Sequence, residues 1–123
     1  MQHWIEVGPA YIRAVMVGRT TAEETRRFAH AQLAALKESG LRKLLVSVSS
    51  SRPVFKVQGW NLSSVLDEMV AMEGLKVALV SDTRELALSH QYVELLARQR
   101  GLAFKTFGDE QAGVEWLMGP AAR

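Results

Sequence analysis

Gly40-Leu41-Arg42-Lys43-Leu44-Leu45-Val46-Ser47-Val48 decides the fold of this chain. Its glycine follows a stretch with helical periodicity, and its second half is a short apolar run of the kind that forms a buried strand. A glycine just past a helix takes the left-handed conformation that closes the last turn, and the leucine after it packs back onto that turn. The same pair recurs at Gly74-Leu75 and Gly101-Leu102, each time between a helix-period stretch and an apolar run. Helix, tight turn and strand, three times over, is the punctuation of an α/β domain with a mostly parallel sheet.

Outward from these stops the remaining elements fall into place. Residues 4–7 and 11–17 are β-rich runs joined by Gly8-Pro9-Ala10, and so short a turn makes an antiparallel hairpin rather than a crossover. Thr20 opens the first helix, with Glu23 three positions on completing a capping box. That helix buries Ala22, Thr25, Ala29, Leu33 and Leu36, and turns Glu23, Arg26, Arg27, His30 and Lys37 to water. A strand over 43–48 leads into 49–60, the longest irregular stretch. A second helix begins near Asn61, carries Leu62, Val65, Leu66 and Met69 inward and ends at Gly74. After a strand over 76–80, Asp82 and Glu85 suggest another capping box for a third helix over 83–100. Its apolar side reads as Leu86, Leu88, Tyr92, Val93, Leu95 and Leu96. A strand over 103–107 and a helix over 109–118, with Val114, Trp116 and Leu117, complete the chain. The predicted order is β-β-α-β-α-β-α-β-α in one domain over 1–123. It is a mixed sheet with a leading antiparallel hairpin and three right-handed crossover units.

Composition bounds the function classes. A chain of 123 residues is one domain's worth, enough to bury roughly two-thirds of its unfolded surface. Net charge is +2, from 15 Lys and Arg against 13 Asp and Glu. The basic residues are scattered (Arg13, Arg19, Arg26, Arg27, Arg42, Lys43, Arg52, Lys56), which argues against nucleic acid as a partner. With no cysteine, disulfide and thiolate chemistry are excluded. Glu6 and Arg13 interrupt any signal-peptide core in 1–17, and no apolar run approaches the ~20 residues that cross a bilayer. A cytoplasmic protein without membrane insertion is expected.

Ligands of open α/β sheets bind beyond the carboxyl ends of parallel strands. That edge collects Ser49, Ser50, Ser51 and Arg52 after one strand, Ser81 and Asp82 after the next, and residues 107–109 after the last. The second and third helices start there, and their free N–H groups favour anions. With Arg52 and Lys56 they read as a candidate site for a phosphate or carboxylate. The competing reading has the serines and Asp82 capping helices and satisfying loop backbone, with Arg52 in solvent. The 49–60 loop also carries Val54, Phe55, Val57 and Trp60. Apolar side chains in a loop either tuck into the core or form a contact surface for a partner or ligand.

Catalytic readings are weaker. Ser81, Asp82 and His90 contain the residue types of a nucleophilic triad, but without a Gly-x-Ser-x-Gly elbow. His90 borders an apolar stripe beside Leu86, Val93 and Ala97, where a histidine packs with one hydrogen bond. His3, His30 and His90 lack metal-ligand spacing, and neither a Gly-x-Gly-x-x-Gly nor a phosphate-loop motif is present. No catalytic residue, metal or cofactor is expected.

Gly18-Arg19-Thr20-Thr21-Ala22-Glu23-Glu24, Leu44-Leu45-Val46-Ser47-Val48, Ser51-Arg52-Pro53-Val54-Phe55 and Val77-Ala78-Leu79-Val80-Ser81-Asp82-Thr83 resemble the STAS domain of anti-sigma-factor antagonists. So does the run from Tyr92 through Arg100-Gly101-Leu102. More specifically, nearly the whole chain resembles the bacterial SpoIIAA-like family, whose structural relatives include CRAL-TRIO lipid-binding domains. Phosphorylated members carry a serine at the start of the helix after the third strand, in an Asp-Ser-Ser-Gly type sequence. Here the third strand ends in Val48-Ser49-Ser50-Ser51, and Ser63 or Ser64 in the next helix's first turn stands in the equivalent place. The resemblance implies a non-catalytic regulatory or protein-interaction module, with the 49–60 loop and the second helix as contact surface. The alternative is a carrier or sensor of a small apolar or anionic ligand, held between that loop and the sheet's carboxyl edge. Trp4, Phe55 and Trp60 lie outside the helical stripes, and a homodimer through the loop and second helix would cover such aromatics.

Overall fold

Gly40, Gly74 and Gly101 all adopt left-handed backbone, with φ of 75°, 76° and 81°. The punctuation read from the sequence is therefore the punctuation of the fold. The structure, a computed structural model, describes residues 2–19, 21–51 and 62–119. Its elements are β1 (Gln2–Val7), β2 (Ile12–Val17), α1 (Ala22–Ser39), β3 (Lys43–Ser49), α2 (Leu62–Val70), β4 (Lys76–Ser81), α3 (Arg84–Arg98), β5 (Ala103–Phe107) and α4 (Glu110–Met118).

The five strands lie in the order β1-β2-β3-β4-β5. β1 and β2 pair antiparallel, with Gly8 N–H donating to the Tyr11 carbonyl to close the hairpin, and the remaining pairs are parallel. Because spatial order follows chain order, the crossovers all step the same way and α1, α2 and α3 gather on one face. The pleat divides the strands accordingly. Ile12, Ala14, Met16, Leu44, Val46, Val48, Val77, Leu79 and Phe104 face the three helices and form the main core with Phe28, Leu33, Leu36, Leu66, Met69 and Leu86. Leu45, Ala78 and Val80 face the other way and pack against Leu117 of α4. A Cβ on Gly113 would stand 2.8 Å from Leu45 Cδ1 and 3.4 Å from Ala78 Cβ, so this glycine is what lets α4 lie against the sheet.

Several local expectations are corrected. The capping box of α1 is one residue later than expected: Thr21 accepts from Glu24 N–H, and Glu24 Oε1 accepts from Thr21 N–H at 3.0 Å. Thr83, not Asp82, caps α3 by accepting from Leu86 N–H at 3.1 Å. Both shifts have one cause: a cap needs a side-chain oxygen acceptor on extended backbone, and the second of two adjacent candidates occupies it. α2 ends at Val70 rather than at Gly74, and a turn with Met72 N–H bonded to the Met69 carbonyl spans the gap. On α3 the buried stripe is Leu86, Ser89, His90, Val93 and Ala97, while Leu88, Tyr92 and Leu95 face outward. α3 lies over β4 and β5 at one side of the sheet, with no second layer outside it among the described residues to bury that stripe.

Candidate functional site

The serines at the carboxyl edge come together, but as a lacing of the backbone. Ser51 Oγ accepts from Arg19 N–H at 2.9 Å and donates to the Ser49 carbonyl at 2.8 Å. Gly18 N–H donates to that same Ser49 carbonyl at 3.1 Å, so the exits of β2 and β3 are tied to each other. Ser50 sits at φ 48° and its N–H donates to Asp82 Oδ2 at 3.1 Å. The Asp82 carboxylate thus ties the exit of β4 to that of β3. Ser81 is buried at the end of β4, and Ser63 and Ser64 are exposed in the first turn of α2. Arg52, Val54, Phe55, Val57 and Trp60 lie outside the described residues.

Behind this edge, between the sheet and the layer of α1, α2 and α3, is a cavity of about 80 Å³. Its walls are apolar: Val46, Val48, Val77, Leu79 and Phe104 from the sheet, Phe28 and Ala29 from α1, and Leu62, Val65, Leu66 and Met69 from α2. Polar groups join them at Arg19, Thr25, Gln32 and His90. Each arrives by a clear local route. Gly18, at φ 79°, turns the chain out of β2 and leaves Arg19 at the joint with α1. Thr25, Phe28, Ala29 and Gln32 share the inner face of α1 by i, i+3, i+4 and i+7 spacing, and His90 and Val93 share that of α3.

The polar end is electrostatically unusual. Arg19 is 4 % exposed, and burial draws its guanidinium down to about 10, with Glu24 opposing the shift; it stays charged at neutral pH. His90 is 5 % exposed, and burial together with the positive charge of Arg19 pushes its imidazole down to about 4. It is therefore neutral at pH 7, and its Nδ1 has no hydrogen-bond partner. The unsatisfied imidazole nitrogen costs folding free energy, on the order of 1–3 kcal/mol. Packing does not need it, whereas a bound polar group would recover part of that cost.

The other candidate constellations are not formed. Asp82 turns to Ser50, and with Nδ1 of His90 unpartnered no Ser-His-Asp relay exists. The described lining contains one hydroxyl, that of Thr25, and it donates to the Thr21 carbonyl at 3.2 Å. His3 lies against the Phe28 ring with centroids 5.6 Å apart, and His30 is exposed on α1. Among the described residues no group of three acidic or histidine side chains is placed to hold a metal ion. Nor is any helix among them long and apolar enough to cross a membrane.

Sequence reasoning placed His90 at the border of the apolar stripe of α3 but missed Arg19, which it grouped with the scattered basic residues. The signal was its position: a lone charge between the last apolar residue of a strand and the cap of the next helix. No family model, no curated protein and no solved structure matches this chain.

Proposed function

We propose that the chain is a non-catalytic binding module of the STAS-like kind, carrying or sensing a small molecule in the cavity beneath α1, α2 and α3. The observation that carries this reading is the cavity itself: apolar walls with a charged arginine and an unsatisfied histidine in the same lining. Small-molecule sites are concave and mostly apolar, with a few convergent polar groups that fix orientation. The strand order supports the location. A sheet wound in one direction has no reversal point at which an edge crevice opens. The cavity between the sheet and its helix layer offers space for a ligand instead. Binding rather than catalysis is favoured because the one hydroxyl in the described lining is already bonded to the Thr21 carbonyl and the imidazole is held too weakly basic to accept a proton near neutral pH.

Xenon tests the reading, since it enters dry apolar cavities without needing polar recognition. Xenon NMR should show saturable binding to the unmodified protein. Ala29→Leu adds three carbons to the lining and should abolish it with the fold intact. Equal xenon response in both proteins would overturn the proposal.

A further inference from the structure

One atom in the cavity asks for a particular kind of guest. We infer that the ligand is a small neutral alcohol, its hydroxyl bonded to Nδ1 of His90 and its alkyl end against Phe28, Val65 and Met69. This rests on the ligand-binding reading above and narrows it to a chemical class.

The orphaned nitrogen sets the polar group. Among the described residues, Nδ1 of His90 is the one buried side-chain nitrogen or oxygen without a hydrogen-bond partner, and its residue is 5 % exposed in the cavity lining. A hydroxyl both donates and accepts, so it satisfies this nitrogen in either tautomer of the neutral ring. A carboxylate only accepts, and an ammonium only donates. One unpartnered atom also calls for one polar atom. An amide would bring two, and a water molecule needs roughly two to four polar partners of its own. The Thr25 hydroxyl in the same lining already donates to the Thr21 carbonyl.

The surroundings favour a neutral guest. Arg19 has interaction partners and Glu24 acts on its charge, so the guanidinium is not waiting for an anion. His90 itself is neutral at pH 7. A charged guest would exchange water for mostly apolar walls, with no free countercharge in the described lining. Size sets the chain. The cavity, at about 80 Å³, is about half the roughly 150 Å³ that holds a benzene ring. At the same filling it takes about three or four non-hydrogen atoms, the scale of ethanol and propanol.

The test titrates the full chain at pH 7 with 1-propanol, with 1-chloropropane, which lacks the hydroxyl, and with propionate, which adds a charge. Binding is followed by NMR. 1-Propanol should bind saturably, move the nitrogen resonance of His90 Nδ1, and bind about tenfold or more tightly than propionate. His90→Leu should weaken 1-propanol about tenfold, the scale of one hydrogen bond, and leave 1-chloropropane within about threefold. If that variant does not fold, the Nδ1 resonance and the comparison with propionate on the unmodified chain decide. An Nδ1 resonance that ignores 1-propanol would overturn the inference. So would propionate binding as tightly as 1-propanol, or equal losses for 1-propanol and 1-chloropropane in His90→Leu. Xenon binding without 1-propanol binding would sink the alcohol assignment alone, whereas loss of both would remove the binding site itself.

Discussion

The backbone N–H of Ser50 donates to Oδ2 of Asp82 at 3.1 Å, so the residue that leaves β3 is held by the carboxylate that leaves β4. Ser50 is held there at φ 48°, the one non-glycine position with positive φ among the described residues. Two forces oppose each other at this residue: the charge-assisted hydrogen bond favours the turn, and the serine Cβ disfavours it. Ser50→Gly keeps the N–H and removes the Cβ. It should stabilise the fold by about 0.5–1 kcal/mol, whereas Asp82→Ala should cost about 1 kcal/mol. Urea denaturation of both variants checks the pair; a destabilised Ser50→Gly would mean that the hydroxyl, not the backbone, matters here.

Gly74 and Gly101 offer a cleaner case of the same conformational effect. A Cβ built at either finds nothing within 4 Å, so no steric contact complicates the substitution. The left-handed backbone alone, at φ 76° and 81°, is what alanine disfavours. Alanine at either position should cost about 1 kcal/mol. A loss of a few tenths or less by thermal denaturation would show that the turns relax freely.

These glycines also show why so much of the fold is legible in the sequence. A residue that must take positive φ, followed by an apolar run, leaves a local mark, and three such marks fix the order of strands and helices. Cap positions slipped by one because Thr20-Thr21 and Asp82-Thr83 each offer two adjacent candidates, and only the backbone decides between them. The outward stripe Leu88, Tyr92 and Leu95 was misread because periodicity reports that a face is apolar, not that another layer covers it. The cavity was illegible for a similar reason. It forms where Arg19, the α1 face and His90 meet, and that meeting depends on every crossover stepping in one direction across the sheet.

Gly113 presents a contest of magnitudes. In a helix interior, alanine is favoured over glycine by about 1 kcal/mol. Here the added methyl would lie 2.8 Å from Leu45 Cδ1 and 3.4 Å from Val80 Cγ2, and Leu45 is fully buried. Overpacking of that kind costs roughly 1–3 kcal/mol. Gly113→Ala should therefore destabilise the protein by about 1 kcal/mol despite its better helix propensity. A gain in stability would mean that α4 shifts outward without loss.

On the same side of the sheet, Arg13 of β2 grips Glu110 of α4 through two bonds, Nε to Oε1 at 2.7 Å and Nη2 to Oε2 at 2.9 Å. Its third contact, Nη1 to Glu6 at 3.1 Å, extends the pair to β1. Both partners are substantially exposed, so screening limits the energy despite the bidentate geometry. An Arg13→Ala and Glu110→Ala double-mutant cycle should give a coupling of about 0.5–1 kcal/mol at low salt, shrinking in high salt. The hydrogen bond from Arg13 holds the Glu110 carboxyl below its ordinary range. That stabilisation is present above the ordinary glutamate pKa and fades as pH falls through the lowered one. A coupling indifferent to salt would contradict the exposed-pair description.

His90 makes the strongest statement about pH. Its folded-state value, about 4, lies below the 6.5 of a free imidazole, because burial and the charge of Arg19 oppose protonation. Between those two values the unfolded chain holds a proton that the folded chain does not, so stability rises with pH across that window. The contribution is fully present above pH 6.5, falls as pH drops towards 4, and levels off below. The decline amounts to roughly 3 kcal/mol at most. Acid effects from carboxylates such as Glu110 enter at the lower end of the same range, so the measurement must subtract them. Urea melts from pH 7.5 to 4 on the unmodified protein and on His90→Leu provide that subtraction. The difference between the two curves should have its slope between pH 6.5 and 4 and vanish outside it. A parallel pair of curves would show that His90 takes up its proton in the folded state as readily as in the unfolded one, and the buried, neutral imidazole assigned to the cavity would be wrong.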